Sequence, residues 1–196
     1  IYINSLLPHY LSNICRDIDA RFIHVSTDCV FSGAKGNYIE TDYPDANDLY
    51  GRTKYLGEVL SDNSITLRGS YIGKEIDTSR GILSWFLSQN KEVKGFKKAI
   101  FSGVTALEFG RIISEFIIPN KKLKGLYHIS SEAIDKFSLL YIINKIYNKN
   151  IKITEDYKLS IDRSLDSSKF RIESGYIPLE WENAIKIMKE FDINNQ

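Results

Sequence analysis

Short apolar, β-branched runs recur along this chain between stretches of helical spacing, and that alternation limits the fold more than any other feature. Arg21-Phe-Ile-His-Val-Ser26 reads as a buried strand. Ile65-Thr-Leu-Arg68 reads as a second, with Ile72 as its far limit, and Gly125 to Ile129 as a third. Ile151-Lys-Ile-Thr154 has the look of an edge strand. Over residues 1–16, Ile3, Leu6, Leu7, Leu11 and Ile14 recur at helical spacing, with Pro8 marking a kink or a start. Asp48 is placed to cap a helix over 49–60. Another helix spans Gly81 to Gln89. Thr105, followed three residues later by Glu108, forms a capping box for a helix to about 118. Helices are also expected over 136–147 and 179–191, and a loop over 32–47, where Gly33, Gly36 and Pro44 fall. Strands alternating with helices predict an α/β fold, a parallel sheet covered on both faces.

At 196 residues the chain suffices for one medium domain or a domain plus a lobe. With 43% apolar and 26% charged residues it can bury a sizeable core. A formal net charge of +1 gives no reason to expect nucleic acid or an anionic membrane as partner. The Lys97-Lys98 and Lys121-Lys122 pairs read as solvated loop charges. Cys15 and Cys29 form no disulfide framework, and with His9, His24 and His128 they show no metal spacing, so no metal is expected. Reduced thiols suit the cytoplasm. No apolar run approaches the ~20 residues of a membrane span, and no signal peptide is visible.

Two groups of residues carry chemistry. In Tyr50-Gly-Arg-Thr-Lys54 the phenol and the ammonium are four apart and share a helix face. A free tyrosine titrates near pH ~10, too high for proton transfer near neutrality, and a nearby ammonium favours the phenolate. Such a pair can give a proton to a carbonyl oxygen. The same spacing also arises on ordinary surface helices. The second group, Ser26-Thr27-Asp28, ends the first strand, where open parallel sheets bind ligands. A hydroxyl there can orient a carbonyl, and it can equally cap a turn. Strand-end hydroxyls, a Gly-containing loop and a helix opening Tyr-x-x-x-Lys together make a specific order of parts. With a hydride from a nicotinamide they would complete a ketone reduction.

Ser26-Thr-Asp-Cys-Val-Phe-Ser-Gly33, Tyr38-Ile-Glu-Thr-Asp42, and Tyr50-Gly-Arg-Thr-Lys54 with Gly57-Glu58 resemble the dTDP-4-dehydrorhamnose reductase family, a branch of the extended short-chain dehydrogenases. The block covers about 33 residues, and weaker similarity continues through Leu67–Tyr71, Gly125–Ile129 and Ser164–Asp166. The resemblance implies a Rossmann-like sheet with a small C-terminal α/β substrate lobe. It implies residues 1–73 as the catalytic part of the dinucleotide domain and 74–196 as mainly the lobe, with 105–130 returning to the sheet. It makes Thr27 the catalytic hydroxyl, assisted by Ser26, Tyr50 the proton donor and Lys54 its lysine. Lys54 would also hold the nicotinamide ribose of NADPH or NADH, with Ser26, Tyr50 and Asn4 around the cofactor. Asp28, Cys29, Ser70 and Tyr71 would line the sugar pocket, with Tyr71 against the sugar ring. Arg80 would face the nucleotide. Arg163 is placed to meet a diphosphate, or to pair locally with Asp162 or Asp166.

Some residues depart from the family pattern. Cys29 stands where Tyr is usual, Asp48 where Asn is, and Gly69 and Tyr71 where Thr and Trp are. These positions line the pocket, so a related 4-keto-6-deoxy sugar on UDP or dTDP is compatible. No G-x-x-G-x-x-G turn occurs in the sequence. The chain opens Ile-Tyr-Ile-Asn with no initiator Met, and the resemblance places Ile1 inside the fourth helix of the sheet domain. Roughly 70–80 residues of N-terminal βαβ units are expected upstream. The chain alone is accordingly expected to bind NAD(P) poorly. The expected activity is NAD(P)H-dependent reduction of a 4-keto-6-deoxy nucleotide sugar for surface polysaccharide, and a homodimer is compatible with it. A nucleotide-sugar epimerase or dehydratase on the same fold, and a non-catalytic regulatory subunit, remain as alternatives.

Overall fold

The computed structural model describes residues 1–75 and 81–194. A widened π-type stretch, Tyr2–Leu6, runs into helix α1 (Leu7–Asp17). Then follow strand β1 (Phe22–Val25), helix α2 (Leu49–Leu56), β2 (Ser64–Arg68), β3 (Tyr71–Ile72) and α3 (Ile82–Ser88). Next come β4 (Val93–Phe101), β5 (Val104–Thr105) and α4 (Ala106–Arg111), which widens into a π-type stretch over Ile112–Ile117. The chain ends with β6 (Gly125–His128), β7 (Ile134–Asp135), α5 (Lys136–Tyr147), β8 (Ile153–Asp162), α6 (Ser168–Ser174) and α7 (Trp181–Asn194).

Local chemistry sets the ends of the helices. Pro8 sits in the first turn of α1, where its missing N–H leaves no bond unmade. Asp48 caps α2, its carboxylate accepting from the Gly51 N–H at 2.8 Å. Thr105 caps α4 through the Glu108 N–H at 3.2 Å, as the capping box predicts. Asp135 caps α5, and Asn148 ends it in the left-handed region at φ 54°.

The fold is α/β. One sheet is parallel throughout, in the order β1-β2-β6. Every residue of central β2 is buried, apolar or small as far as Leu67, with the terminal Arg68 paired to the Glu58 carboxylate. The second sheet has the order β7-β4-β8, with β4 parallel to β8 and antiparallel to β7. Its core joins Leu83 and Phe86 of α3, Leu139, Leu140 and Ile143 of α5, and Ile185 and Met188 of α7. The first sheet's core gathers Ile65, Leu67, Tyr127, Ile112 and Phe170. Between the two, Phe31 stacks on Tyr38 at 4.1 Å between ring centres, beside Val30 and Leu165.

Several elements differ from expectation. The run from Ile65 to Ile72 breaks at Gly69-Ser70, and Tyr71–Ile72 pairs with β5 instead of extending β2. Helix α2 stops at Leu56 because Gly57 follows. The short edge strand at 151–154 becomes the ten-residue β8, and β4 and α6 had no apolar signal. Polar residues persist in β8 because much of it faces solvent. None of the described helices is long and apolar enough to cross a membrane.

Candidate active site

The carboxyl ends of β1 and β2 lie side by side: the Ser26 N–H bonds the Leu67 carbonyl at 2.8 Å, and the Asp28 N–H bonds the Gly69 carbonyl at 3.3 Å. Beyond β1 the chain turns through one 3-10 turn, Asp28–Val30, capped by Thr27. The Thr27 oxygen accepts from the Cys29 N–H at 3.1 Å, and its hydroxyl donates to the Asp28 carboxylate at 3.2 Å. Ser26, Thr27 and Asp28 are all buried.

Helix α2 is laid across this turn by two glycines. A Cβ on Gly51 would come within 2.2 Å of the Cys29 carbonyl oxygen, and one on Gly57 within 1.8 Å of the Asn4 carbonyl oxygen. Glycine at both positions lets backbone meet backbone. Asn4 donates to the Thr53 hydroxyl at 3.3 Å, and Thr53 donates to the Tyr50 carbonyl at 3.0 Å. Asn4 is thus tied to the turn of α2 that carries Tyr50.

Tyr50 is half-exposed, with its hydroxyl end near Thr27, Asp28 and Cys29. Partial burial pushes its phenol up from the ordinary value, and the neighbouring Cys29, Asp28 and Asp48 act in the same direction. The Thr27 hydroxyl, which offers the phenolate a hydrogen bond, works the other way. The Lys54 ammonium donates to the Val25 carbonyl at 2.8 Å, and burial lowers its pKa. Held on that carbonyl, it does not draw Tyr50 down as the four-residue spacing suggests. Burial raises the Asp28 carboxyl, opposed by the Thr27 hydrogen bond and the Arg163 charge. Burial and the neighbouring Asp28 raise the Cys29 thiol.

Arg163, at the end of β8, reaches this group from the other sheet. It donates to the Cys29 sulfur at 3.3 Å and lies 4.0 Å from the Asp48 carboxylate, while its Nε is buried without a partner. Its ion-pair partner is therefore Asp48, not Asp162 or Asp166. Ser70 accepts the Val104 N–H on its carbonyl at 3.0 Å, which ties the end of β2 to β5. The Tyr71 ring lies on Phe109 at 4.1 Å between centres, and its hydroxyl is buried. Arg80 lies outside the described residues.

Sequence reasoning missed Glu58 as part of this site. Its carboxylate accepts from Ser26 at 2.7 Å and is gripped by Arg68 through two further bonds of 2.7 Å. The Ser26 proton is thus committed to Glu58. The signal was present in Gly57-Glu58 directly after Tyr-x-x-x-Lys. Gly33 and Gly36, at φ 87° and 71°, open no helix; a Cβ on either would strike Ile161 or Asp162. They fit the loop against β8. A groove of about 910 Å³ between α4 and α7 shares no residue with the Thr27–Tyr50–Lys54 group.

The chain is similar to characterised proteins over nearly its whole length. The family model described as RmlD substrate binding domain matches residues 1–190. The dTDP-4-dehydrorhamnose reductase of Aggregatibacter actinomycetemcomitans is 27% identical over 93% of this chain and 70% of that protein. The spore coat polysaccharide biosynthesis protein SpsK of Bacillus subtilis is 37% identical over 94% of this chain and 69% of that protein. In fold, the Bacillus anthracis dTDP-4-dehydrorhamnose reductase, crystallised with NADP, superposes with a TM-score of 0.83 at 19% identity, covering 97% of this chain and 72% of that one. This chain belongs to the RmlD substrate binding domain family.

Proposed function

We propose that this chain carries the proton-transfer part of an NAD(P)H-dependent reductase of 4-keto-6-deoxy nucleotide sugars, serving surface polysaccharide synthesis. The observation that carries the reading is the convergence of the Thr27 hydroxyl and the Tyr50 phenol at the carboxyl end of β1, with Lys54 one turn along α2. The relatives bearing reductase and polysaccharide-synthesis names support it.

The donor set fits the nicotinamide-ribose end of a dinucleotide. An ammonium has three protons, and the Val25 carbonyl takes one from Lys54, which leaves two for a ribose diol. When bound, NAD(P)H supplies a hydride to the carbonyl carbon. Thr27 turns its hydroxyl to the carbonyl oxygen and polarises it. Tyr50, a phenol that is protonated at neutral pH, gives that oxygen its proton. Lys54 holds its ammonium at the same strand end, where its two remaining protons face the ribose. Arg163 takes an oxygen of the substrate, since most of its five donors lack a strong acceptor.

The same reading extends to location and assembly. Cys15 and Cys29 are free thiols, which supports a cytoplasmic setting. For assembly, a homodimer is proposed as part of the same reading.

The test is NADPH and NADH oxidation by the protein with a panel of dTDP- and UDP-linked 4-keto sugars. Consumption of one reduced cofactor per sugar reduced is expected. Isomerisation without cofactor consumption contradicts the reading.

A further inference from the structure

Tyr71 carries a polar group that the proposed mechanism does not use. Its hydroxyl is buried and has no hydrogen-bond partner. The ring is fixed on Phe109, and the oxygen rests against Gly69, so closely that a Cβ there would lie 2.8 Å from it. The same Gly69 accepts the Asp28 N–H on its carbonyl. The Tyr71 hydroxyl and Asp28 thus meet at one glycine, close enough for the Asp28 charge to act on the Tyr71 phenol. A buried hydroxyl without a partner costs free energy, so its persistence beside a reactive centre calls for a use.

Proton bookkeeping at Thr27 supplies one. A threonine hydroxyl has a single proton. Here that proton points to Asp28 at 3.2 Å, while the oxygen accepts from Cys29. Polarising a substrate carbonyl requires the same proton. Asp28, 6% exposed, is then a buried carboxylate left with only the weak side-chain hydrogen bond of the Cys29 thiol. The other groups facing it are Cys29 from its own turn, Arg163 from the end of β8 and Lys136 from the start of α5. Arg163 is assigned to the substrate in the proposed function, and Lys136 acts by charge alone. Tyr50 needs its own proton for the substrate.

We propose that Tyr71 is a positioning residue, the reserve donor that takes hold of Asp28 when Thr27 turns its proton to the substrate oxygen. Gly69 makes this possible, because any side chain there would displace the hydroxyl. The inference rests on the role proposed for Thr27, and it gives the Tyr71 hydroxyl a purpose that a larger apolar ring could not serve.

Thr27→Val imitates the departure of the threonine proton without any substrate, so the switch can be read in the protein alone. The Asp28 carboxyl is titrated by carbon-13 NMR in wild type, T27V, Y71F and the double variant, each checked for folding by its amide spectrum. Y71F alone is expected to leave the Asp28 midpoint in place, because Thr27 still serves it. The double variant is expected to raise the midpoint by about one pH unit or more beyond the sum of the single shifts. Thr27→Ser in the Y71F background, which returns the donor, is expected to restore the wild-type midpoint. Additive shifts overturn the inference, and so does a Y71F shift as large as that of the double variant. Wild-type reductase turnover in T27V would overturn the function proposed for Thr27, whereas the coupling of positions 27 and 71 is decided by the titration.

Discussion

The Glu58 carboxylate and the Arg68 guanidinium lie side by side in the protein interior, with Nε 2.7 Å from Oε1 and Nη2 2.7 Å from Oε2. The two side chains are 4% and 2% exposed. Ser26 donates to the same carboxylate, and the Arg68 guanidinium lies over the Phe31 ring at 5.1 Å. One ion pair therefore joins the exit of α2, the end of β2 and the end of β1. Removing either partner leaves the other charge buried and unpaired. Arg68→Met is expected to cost about 3–5 kcal/mol in urea unfolding, the usual penalty for such a break. A loss below about 1 kcal/mol, typical of exposed pairs, would show that the pair does not hold these ends together.

The glycines of the Tyr-Gly-x-x-Lys and Gly-Glu segments should be intolerant, and for a reason separate from helix propensity. Gly51→Ala and Gly57→Ala each drive a methyl into backbone carbonyl. Overpacking of this kind costs about 1–3 kcal/mol, and more where backbone must move. Gly110 in α4 is the internal control, since a Cβ there meets nothing within 4 Å. Gly110→Ala should stabilise by about 0.5–1 kcal/mol. Thermal unfolding of the three variants checks both signs.

How much of this arrangement was legible depends on which residues carried it. Strands β1, β2 and β6 showed as short runs rich in apolar and β-branched residues, and central β2, buried throughout, showed most clearly. Strand β4, reading Val-Lys-Gly-Phe-Lys-Lys-Ala-Ile-Phe, did not, because its lysines leave no clean alternation. It is held by parallel pairing to β8, some sixty residues on in sequence: Val93 pairs Ile153. In the site, Thr27, Tyr50 and Lys54 were readable from order and spacing, which local structure preserves. Arg163 beside Cys29, separated by 134 positions, and Asn4 on Thr53, separated by 49, depend on how distant elements close together. The direction of the Tyr50 shift was misread for a related cause. Spacing places Lys54 near it, but the Val25 carbonyl captures the ammonium.

Two buried histidines set the acid side of stability. Burial, with the Arg68 charge beside it, holds His128 down to about 3, and burial with the Lys54 charge holds His24 down to about 4, from an ordinary 6.5. Both folded values lie below the unfolded one, so the unfolded chain binds more protons once the pH drops below about 6.5. Their contribution is full above pH 6.5 and is lost progressively as pH falls toward 4 and 3. The urea midpoint should therefore fall between pH 6.5 and 4. His128→Asn should flatten that fall, and an unchanged slope would contradict the assignment.

Arg163 should matter to substrate more than to folding. Its ion pair with Asp48 is long, at 4.0 Å, and Asp48 is 53% exposed, so the pair adds little stability. Arg163→Gln is expected to raise the sugar KM about tenfold or more, by the loss of one charge-assisted hydrogen bond, while moving the melting temperature little. An unchanged KM would place Arg163 outside the substrate's reach.

The central claim is that Tyr50, at the carboxyl end of β1, gives the carbonyl oxygen its proton. The most direct measurement is the turnover of Tyr50→Phe with NADPH and the 4-keto nucleotide sugar that the wild type reduces. Removing a general acid costs about 10²–10⁴ in rate. The phenol is half-exposed, so its loss should leave the melting temperature near that of wild type. A folded Tyr50→Phe protein slowed by that factor is the predicted result, and one that reduces the sugar at the wild-type rate would contradict the account.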